Sequence, residues 1–415
     1  MKPAVALCEL VPPHHLVPMS LALATNRDAL SCRVDPIDRS PLGARWRPLR
    51  ICQVVPYALD ENGGVKHHAI QLACALRASG DYVAIVGPAL RPHSEAHVRG
   101  FKGVFNVTAN GSANHIGLFP SFAEVRNFFR SARFDVVHIH EPVVPTLGCW
   151  AILSSRGSAR VATFHAFAER PNRVLGAFAK ILANMQAPAF HAATAVSHVA
   201  SSFAGKFWPQ PRAIVPNGVS LDTFRPPTGA RANGPTRLLF VGRIGDRRKG
   251  FDHLLRAYAT LRARNVSVVL DVVGELGGAE PPPALPGLTY HGVLSLGALA
   301  ERYRSCDVFV APSTGQESFG IILLEAMASA RPIICSDILG YRDTVDAAGT
   351  RLVTPADPSC LANAIAELSA QSDLWPAMGA ANLKRAQEFS WDDIARRMRE
   401  VYVDAISARM TNRQP

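Results

Sequence analysis

Two carboxylates eight residues apart, Glu317 and Glu325, carry the most specific chemical signal in the sequence. Between them lie Ser318, Phe319 and Gly320, followed by an apolar run for which we predict a helix that begins near Ser318. The N–H groups of its first turn can face a phosphate. Glu317 can reach hydroxyl groups, such as those of a sugar, and Glu325 projects two turns along on nearly the same side. Because acidic side chains are rarely buried unless they are paired or liganded, we expect all five residues to belong to a binding site.

A basic, glycine-rich turn provides the second signal. It follows a predicted strand at 237–242 and contains Arg243 and Lys249. A guanidinium and an ammonium at such a turn could neutralise a pyrophosphate and stabilise the charge that develops on a leaving nucleotide. The alternative is a solvated basic loop, since charge runs usually lie at the surface.

Three histidines lie within buried strands or at their ends. The period of two puts His138 and His140 on one face of a strand, with Glu141 at its end. His165 ends the next strand and precedes a loop of polar and aromatic residues, which makes it the stronger candidate for chemistry. The other interpretation of His138 and His140 is a pair of hydrogen-bonded core histidines.

A glycine turn, Asn62-Gly63-Gly64, lies between the first strand and the first helix. Without Cβ atoms, the backbone N–H groups of Gly63 and Gly64 could approach a phosphate or a sugar closely. A tight turn would explain the two glycines equally well.

The elements that position these residues alternate between strand and helix. Strands predicted at 49–56, 82–87, 134–140 and 161–165 are separated by segments such as 65–78, whose apolar spacing is that of an amphipathic helix. This alternation predicts parallel sheets, and it restarts after a stretch rich in Pro and Gly. We therefore predict an irregular extension at 1–48, a first Rossmann-like domain at 49–224 and a linker at 225–235. A second Rossmann-like domain at 236–390 and a C-terminal helix at 391–415, which could return to the first domain, complete the prediction.

Composition limits the alternatives. At 415 residues with 48% hydrophobic residues, the chain exceeds one ordinary core and is globular. Its net charge of +11 predicts an anionic partner, but the basic residues are spread along the chain rather than clustered as in nucleic-acid binders, so we expect no nucleic acid. No apolar run is long enough to cross a bilayer, and residues 1–48 lack the features of a signal peptide. The eight cysteines show no spacing typical of a zinc site, so we predict no metal site and interpret them as reduced, buried side chains.

The chain resembles family 4 of the retaining glycosyltransferases, and within it the bacterial phosphatidylinositol mannosyltransferases that use GDP-mannose. The resemblance spans residues 51 to about 330 and rests on the stretches 55–57, 62–65, 134–142, 161–165, 195–197, 215–219, 242–250 and 317–327. The Glu-x7-Glu element and the Pro-Asn-Gly-Val turn, which contains Asn217, are shared across the family. Only the first-domain matches favour mannosyltransferases.

The resemblance implies two doubly wound Rossmann-like domains facing across a cleft, the GT-B arrangement, with 49–224 as the acceptor domain and 236–390 as the nucleotide-sugar donor domain. It also implies a role for each matching residue. Gly64 would contact the donor through its backbone, His165 the transferred sugar, and Arg243 with Lys249 the pyrophosphate. Glu317 would bind the sugar hydroxyls and Glu325 the ribose. We take His165, Arg243, Lys249 and Glu317 as catalytic candidates, and the substrate-binding candidates are Gly63, Gly64, His138, His140, Asn217, Ser318, Phe319, Gly320 and Glu325.

The resemblance also implies no tightly bound cofactor and no catalytic metal, with a nucleotide-diphosphate sugar as co-substrate and Mg²⁺ as an optional aid. The predicted activity is transfer of a hexose, mannose first, to a lipid-linked or polysaccharide acceptor. A donor carrying UDP and a nucleotide-sugar epimerase of the same fold are the alternatives.

One departure from the mannosyltransferases concerns the helix before the Phe-Asp-Val strand. Where they carry a lysine-rich helix, residues 121–133 contain Arg126, Arg130 and Arg133. Phe122, Val125 and Phe129 fall on a neighbouring stripe. We predict an amphipathic helix that makes a weak, salt-sensitive contact with anionic membrane in a cytoplasmic protein. The competing interpretation is a surface helix whose aromatic side chains pack on the sheet.

Overall fold

A computed structural model describes residues 47–60, 63–90, 93–95, 97–109, 112–117, 121–145, 147–168, 173–209, 212–229, 231 and 233–411. Nearly all of the predicted extension at 1–48, and Asn62 of the glycine turn, lie outside these residues.

The first sheet is built from buried, mainly β-branched runs that have helices on both faces. Its strands are β1 (Arg50–Val54), β2 (Tyr82–Ala89), β3 (His93–Glu95), β4 (Val98–Lys102), β7 (Val136–His140), β8 (Ala159–Phe164), β9 (Ala192–Ala195) and β10 (Ala213–Ile214). They lie in the order β10-β9-β8-β7-β1-β2-β4-β3, and all neighbours are parallel except β3 and β4. β5 (Val104–Ala109) and β6 (Ser112–Gly117) form a separate two-stranded antiparallel sheet. The helices of this half are α1 (Gly64–Ala78), α2 (Phe122–Ala132), α3 (Leu147–Ser154), α4 (Arg173–Gln186) and α5 (His198–Ala204).

The second sheet has six parallel strands in the described residues. They are β11 (Thr236–Val241), β12 (Val268–Val273), β13 (Leu288–Tyr290), β14 (Val308–Ala311), β15 (Ile333–Ser336) and β16 (Thr350–Val353), in the order β13-β12-β11-β14-β15-β16. Its helices are α6 (Phe251–Ala263), α7 (Leu296–Ser305), α8 (Ile321–Ala328), α9 (Leu339–Arg342), α10 (Pro358–Ala370) and α11 (Trp375–Gln387). The predicted class, two doubly wound parallel-sheet α/β domains, is confirmed.

Each sheet reverses its strand order at one position. In the first sheet the reversal lies between β1 and β7, and in the second between β11 and β14. Loops leaving the carboxyl ends of the strands diverge at such a point and open a crevice for a ligand. The glycine turn follows β1, Glu141 follows β7, the basic turn follows β11, and Glu317 follows β14.

The last helix, α12 (Trp391–Thr411), packs on α1, β8 and β9 of the first domain. The Arg399 guanidinium donates to the Asp81 carboxylate at 3.1 Å, and both side chains are buried. Asp81 also accepts the Leu49 N–H at 2.8 Å, so this carboxylate joins α12 to the start of β1. One buried apolar cluster includes residues of both sheets, among them Val137 and Leu239.

Three local expectations were wrong. Helix α8 begins at Ile321 and not near Ser318, because Gly320 has a φ of +86° and ends a loop rather than continuing a helix. Strand β8 ends at Phe164, so His165 follows the strand. Cys74 is disulfide-bonded, which contradicts the interpretation of every cysteine as reduced, whereas Cys52, Cys149, Cys306, Cys335 and Cys360 are free.

Across the ranges that the structure describes, we find no helix with the length and apolar character that a bilayer crossing requires.

Candidate active site

The predicted histidines lie at the carboxyl edge of the first sheet and form a buried network. His140 Nδ1 lies 3.0 Å from His165 Nε2, and His140 Nε2 lies 3.1 Å from the Gln53 side-chain oxygen on β1. Burial lowers the pKa of both histidines well below the usual value, and the neighbouring imidazoles lower it further. The two rings are therefore neutral at physiological pH, and each can donate one hydrogen bond and accept another.

His138 makes different contacts from its neighbours. Its Nδ1 lies 2.8 Å from the Tyr402 hydroxyl of α12, and its Nε2 lies 2.6 Å from the Thr163 hydroxyl. Burial lowers its pKa to about 3. Because both ring nitrogens contact protein groups, these bonds match the core interpretation raised from the sequence.

Glu141 holds the loop that carries His165. Its Oε1 accepts the backbone N–H groups of His165 at 2.5 Å and of Ala166 at 2.6 Å. Burial raises the pKa of this carboxyl to about 7, although the two hydrogen bonds act in the opposite direction. Glu141 itself has a φ of +48°, which turns the chain sharply out of β7. The carboxylate is therefore a positioning group for His165.

A fourth histidine, which the sequence analysis did not select, joins the cluster from helix α1. The ring centroid of His68 lies 4.9 Å from that of His165 and 5.6 Å from that of His140. Its Nδ1 lies 2.8 Å from the Asn217 side-chain oxygen, which places the Pro-Asn-Gly-Val turn directly behind the cluster. His68 lies four residues after Gly64, one helical turn from the glycine turn, and this spacing was the available signal.

In the second domain, the two sequence signals meet. The Lys249 ammonium lies 2.6 Å from Glu317 Oε1, and both side chains are mostly buried. Lys249 ends the 3-10 turn Arg247–Lys249 after β11, and Glu317 lies in the loop after β14. The ion pair therefore spans the point at which the strand order of this sheet reverses.

Arg243 lies at the mouth of the same turn and is partly open to solvent. Its Nε lies 3.3 Å from Glu275 Oε2, and its side chain is 35% exposed. Arg248, by contrast, is held against Asp246 by contacts of 2.9 and 2.5 Å. Gly250, the N-cap of α6, has a φ of +70°, and a Cβ there would lie only 1.9 Å from the Pro312 carbonyl oxygen.

Residues Phe319 and Gly320, which lie between the two glutamates, are held by a hydrogen bond to the backbone and by close packing. The Thr344 hydroxyl donates to the Phe319 carbonyl at 2.7 Å, and the Phe319 ring is buried against Phe389. A Cβ at Gly320 would lie 2.7 Å from the Tyr341 ring. These contacts hold the loop against α9 and the Phe389 side chain at the start of α8.

Glu325 lies on α8 beneath this loop. Its Oε2 accepts a hydrogen bond from the Tyr303 hydroxyl at 2.8 Å. Burial raises its pKa to about 7, and the hydrogen bond from Tyr303 partly offsets that rise. Because this pKa lies close to physiological pH, further hydrogen-bond donors such as ribose hydroxyls would shift the carboxyl to its ionised form.

The two domains meet at the predicted residues. A Cβ at Gly64 would lie 4.0 Å from Ile321, the first residue of α8, whereas a Cβ at Gly63 would have no described atom within 4 Å. The Ser197 hydroxyl donates to the Ser318 carbonyl at 2.6 Å. A narrow groove between the domains is lined by residues of both, including His67, Gly218, Ile321, Glu325 and Trp391.

Comparison with known proteins identifies the family of the chain. A family model described as Glycosyltransferase Family 4 matches residues 62–223, and one described as Glycosyl transferases group 1 matches residues 235–371. The phosphatidyl-myo-inositol mannosyltransferase of Mycobacterium leprae is 31% identical over 365 residues, which cover 85% of this chain and 96% of that protein.

The chain belongs to glycosyltransferase family 4. A second similar protein of the family is the D-inositol 3-phosphate glycosyltransferase of Streptomyces coelicolor, 30% identical over 67% of this chain and 71% of that protein. Among solved structures, HepE of Anabaena in complex with UDP-glucose aligns with a TM-score of 0.67 and 16% identity over 86% of this chain and 99% of that one. The likeness of fold is to GT-B glycosyltransferases, and this family 4 chain is a glycosyltransferase.

Proposed function

We propose that this glycosyltransferase transfers mannose from GDP-mannose, with retention of the anomeric configuration, to an acceptor of the phosphatidylinositol class. The observation that carries the proposal is the Lys249–Glu317 ion pair of the second domain. The residue after Glu317, Ser318, accepts a hydrogen bond from Ser197 of the first domain, so the pair lies close in sequence to a contact between the two domains. Similarity to mannosyltransferases named for phosphatidyl-myo-inositol supports the choice of sugar and acceptor.

The second domain supplies the groups that a nucleotide-diphosphate leaving group requires. Arg243 and Lys249 would neutralise the two phosphates, and the Lys249 ammonium is already held in place by Glu317. Preorganised cations of this kind stabilise the developing negative charge without reorganisation during the reaction. Glu317 would bind the sugar hydroxyls, and Glu325 would accept the ribose hydroxyls. In this proposal the chain's own cations stabilise the leaving group and Mg²⁺ is an optional aid.

The first domain supplies the surface against which the sugar lies. The backbone of Gly63 and Gly64 leaves space for close approach, and His165 is the histidine of the cluster nearest to the surface, at 8% exposure. A neutral imidazole at this point can exchange hydrogen bonds with a sugar hydroxyl while Glu141 fixes its backbone. We assign contact with the sugar to His165, and support of its position to His140.

A donor screen tests this assignment. Purified enzyme is incubated with GDP-mannose, UDP-glucose and ADP-glucose, and release of each nucleotide is measured by chromatography with and without phosphatidylinositol. We expect nucleotide release from GDP-mannose that increases with the lipid. If nucleotide were released only from UDP-glucose, the donor would be a UDP-sugar and not GDP-mannose. Formation of an isomerised donor in the absence of acceptor would indicate epimerisation.

The acceptor proposal includes contact with an anionic membrane, made mainly by helix α4 and to a lesser extent by α2. Val125 and Phe129 of α2 are buried in the core, which agrees with the packing interpretation, while Phe122 is 39% exposed. Helix α4 instead presents an apolar stripe to solvent, with Phe178 at 48%, Ile181 at 60% and Met185 at 74% exposure.

The surroundings of this stripe are basic. Residues 142–221 contain seven Lys and Arg but one acidic residue, Glu169. Gln186 at the end of α4 donates to Cys149 of α3 at 3.1 Å, so the two helices adjoin, and Leu153 of α3 is 49% exposed. An apolar stripe in basic surroundings suits the interface of an anionic bilayer, where each cation near the surface contributes about 1 kcal/mol.

Vesicle co-sedimentation tests this surface. Replacement of Phe178 and Ile181 by serine should abolish binding to vesicles of phosphatidylcholine with phosphatidylinositol, and charge reversal of Arg126 and Arg130 should weaken it. Leu339→Ser, which alters an equally exposed apolar residue of the second domain, is the matched control. Equal recovery of all variants with neutral and anionic vesicles would contradict the proposal.

A further inference from the structure

Three histidines of the buried cluster are arranged as ligands for a metal ion. His68, His140 and His165 come from α1, β7 and the loop after β8, and each offers a ring nitrogen within 4.8 Å of the others. A tetrahedral zinc site with Zn–N bonds of ~2.1 Å separates its ligand nitrogens by about 3.3 Å. His140 Nδ1 and His165 Nε2, 3.0 Å apart, are already near that spacing. The nitrogen of His68 lies within 4.8 Å of the other two, so it would have to approach them by at most about 1.5 Å to reach that spacing.

A second observation points to a ligand at this place. His68 Nε2 is fully buried and has no hydrogen-bond partner among the described residues. Its other nitrogen, Nδ1, donates to the Asn217 side-chain oxygen, so the proton lies on Nδ1 and Nε2 carries a free lone pair. An unpaired buried acceptor costs free energy that a bound cation would recover.

The surroundings of the three rings also match those of metal-binding histidines. Such histidines usually donate their second N–H to a carbonyl or carboxylate, which fixes the ring and the tautomer. Asn217 does this for His68, and Gln53 does it for His140.

We infer that His68, His140 and His165 bind a divalent ion of the zinc class when no donor occupies the cleft, and that the bound ion excludes the donor sugar. Three neutral imidazoles with an open fourth position suit Zn²⁺ or Co²⁺ rather than Mg²⁺. The second part of the inference rests on the proposed function, because it requires His165 to contact the sugar. The first part is independent of it.

The metal site is tested with Co²⁺, whose visible absorption reports four-coordinate binding. Untagged protein freed of metal by EDTA should bind one Co²⁺ per chain, and Zn²⁺ should displace it. His68→Gln should weaken the affinity at least about 100-fold, because it removes a ligand. His198→Gln, which alters an exposed histidine of the same domain, should leave the affinity unchanged.

Asn217→Ser provides a second variant that keeps all three ligands. Loss of the carbonyl behind His68 should weaken Co²⁺ binding about 10- to 100-fold. Absence of the absorption bands, or equal affinity in wild type and both variants with native circular dichroism, would overturn the site.

The effect on the donor is measured separately. Zn²⁺ should raise the apparent KM for GDP-mannose in wild type and not affect the residual rate of His68→Gln. If Co²⁺ gave its absorption bands but Zn²⁺ did not raise the KM for GDP-mannose, the metal site would stand and only the exclusion of the donor sugar would be overturned. If no sugar nucleotide is turned over, the proposed function fails while the absorption experiment still decides the metal site.

Discussion

The ion pair between Lys249 and Glu317 permits the sharpest mutational test of the donor site. Lys249→Met removes the ammonium but keeps an unbranched side chain of similar length. If this ammonium faces the phosphates, its loss removes one preorganised charge from the transition state, which typically lowers kcat about 10²- to 10³-fold, or about 2.7–4 kcal/mol.

Stability should change far less than catalysis. The side chains of Lys249 and Glu317 are 23% and 15% exposed, so the variant leaves Glu317 in partial contact with water. A hydrogen bond between charged groups contributes about 1.5–3 kcal/mol. Because both groups keep some solvent, we expect the free energy of unfolding to fall by about 1–2 kcal/mol, which denaturant titration would measure.

Arg247 supplies the matched control. It lies two residues away on the same 3-10 turn and is exposed. Arg247→Met removes the same unit of charge, but screening by solvent should keep its effect on the rate below about threefold. An equal fall in rate in the two variants would indicate that both cations attract the anionic donor by their charge in general, without a specific contact of Lys249 with the phosphates. Near wild-type kcat in Lys249→Met would refute the assignment of the phosphate site.

The remaining predictions concern backbone conformation and pH. Gly320→Ala should destabilise the protein by about 2–4 kcal/mol, because its φ is +86° and the new Cβ would meet Tyr341 at 2.7 Å. Gly278→Ala, with a φ of +84° and no described atom within 4 Å, should cost only about 1 kcal/mol, and similar melting temperatures in the two variants would contradict this account. Stability should fall as the pH drops from 6.5 to about 4, since the pKa of His68 is lowered to about 4 and that of His138 to about 3, and the unfolded chain binds protons over this range that the folded cluster does not. The lowered pKa of His68 alone should reduce the free energy of unfolding by about 3 kcal/mol over that interval. Two buried glutamates with raised pKa values act in the opposite direction, but the four buried histidines and the partly buried His67 outweigh them. Increasing stability on acidification would therefore refute the assignment of neutral rings.

Much of the fold follows from local pattern. The predicted helix at 65–78 matches α1 (Gly64–Ala78) to within one residue, because its apolar residues follow the helical period and glycines lie at its start and just beyond its end. The start of α8 was misplaced because Gly320 adopts a left-handed conformation packed close to Tyr341, a residue distant in sequence, and the local apolar pattern does not indicate this.

The histidine cluster shows what sequence spacing could not provide. His68, His140 and His165 are separated by 72 and 25 residues, so no motif of adjacent ligands connects them. The cysteine pattern favoured no metal site, and that expectation considered only residues close together in the chain. The parallel sheet brings the ends of β7 and β8 together, and the return of α1 over the sheet adds the third ring.

The most direct test of the central claim is proton NMR of the reaction of GDP-mannose with a soluble phosphatidylinositol analogue. The proposal predicts that the anomeric signal of GDP-mannose is replaced by that of an α-mannoside in step with GDP release, and that Lys249→Met slows both changes equally. Formation of a β-mannoside would contradict retention. Absence of any glycoside with GDP-, UDP- and ADP-sugars alike would contradict the assignment of the cleft as a donor site.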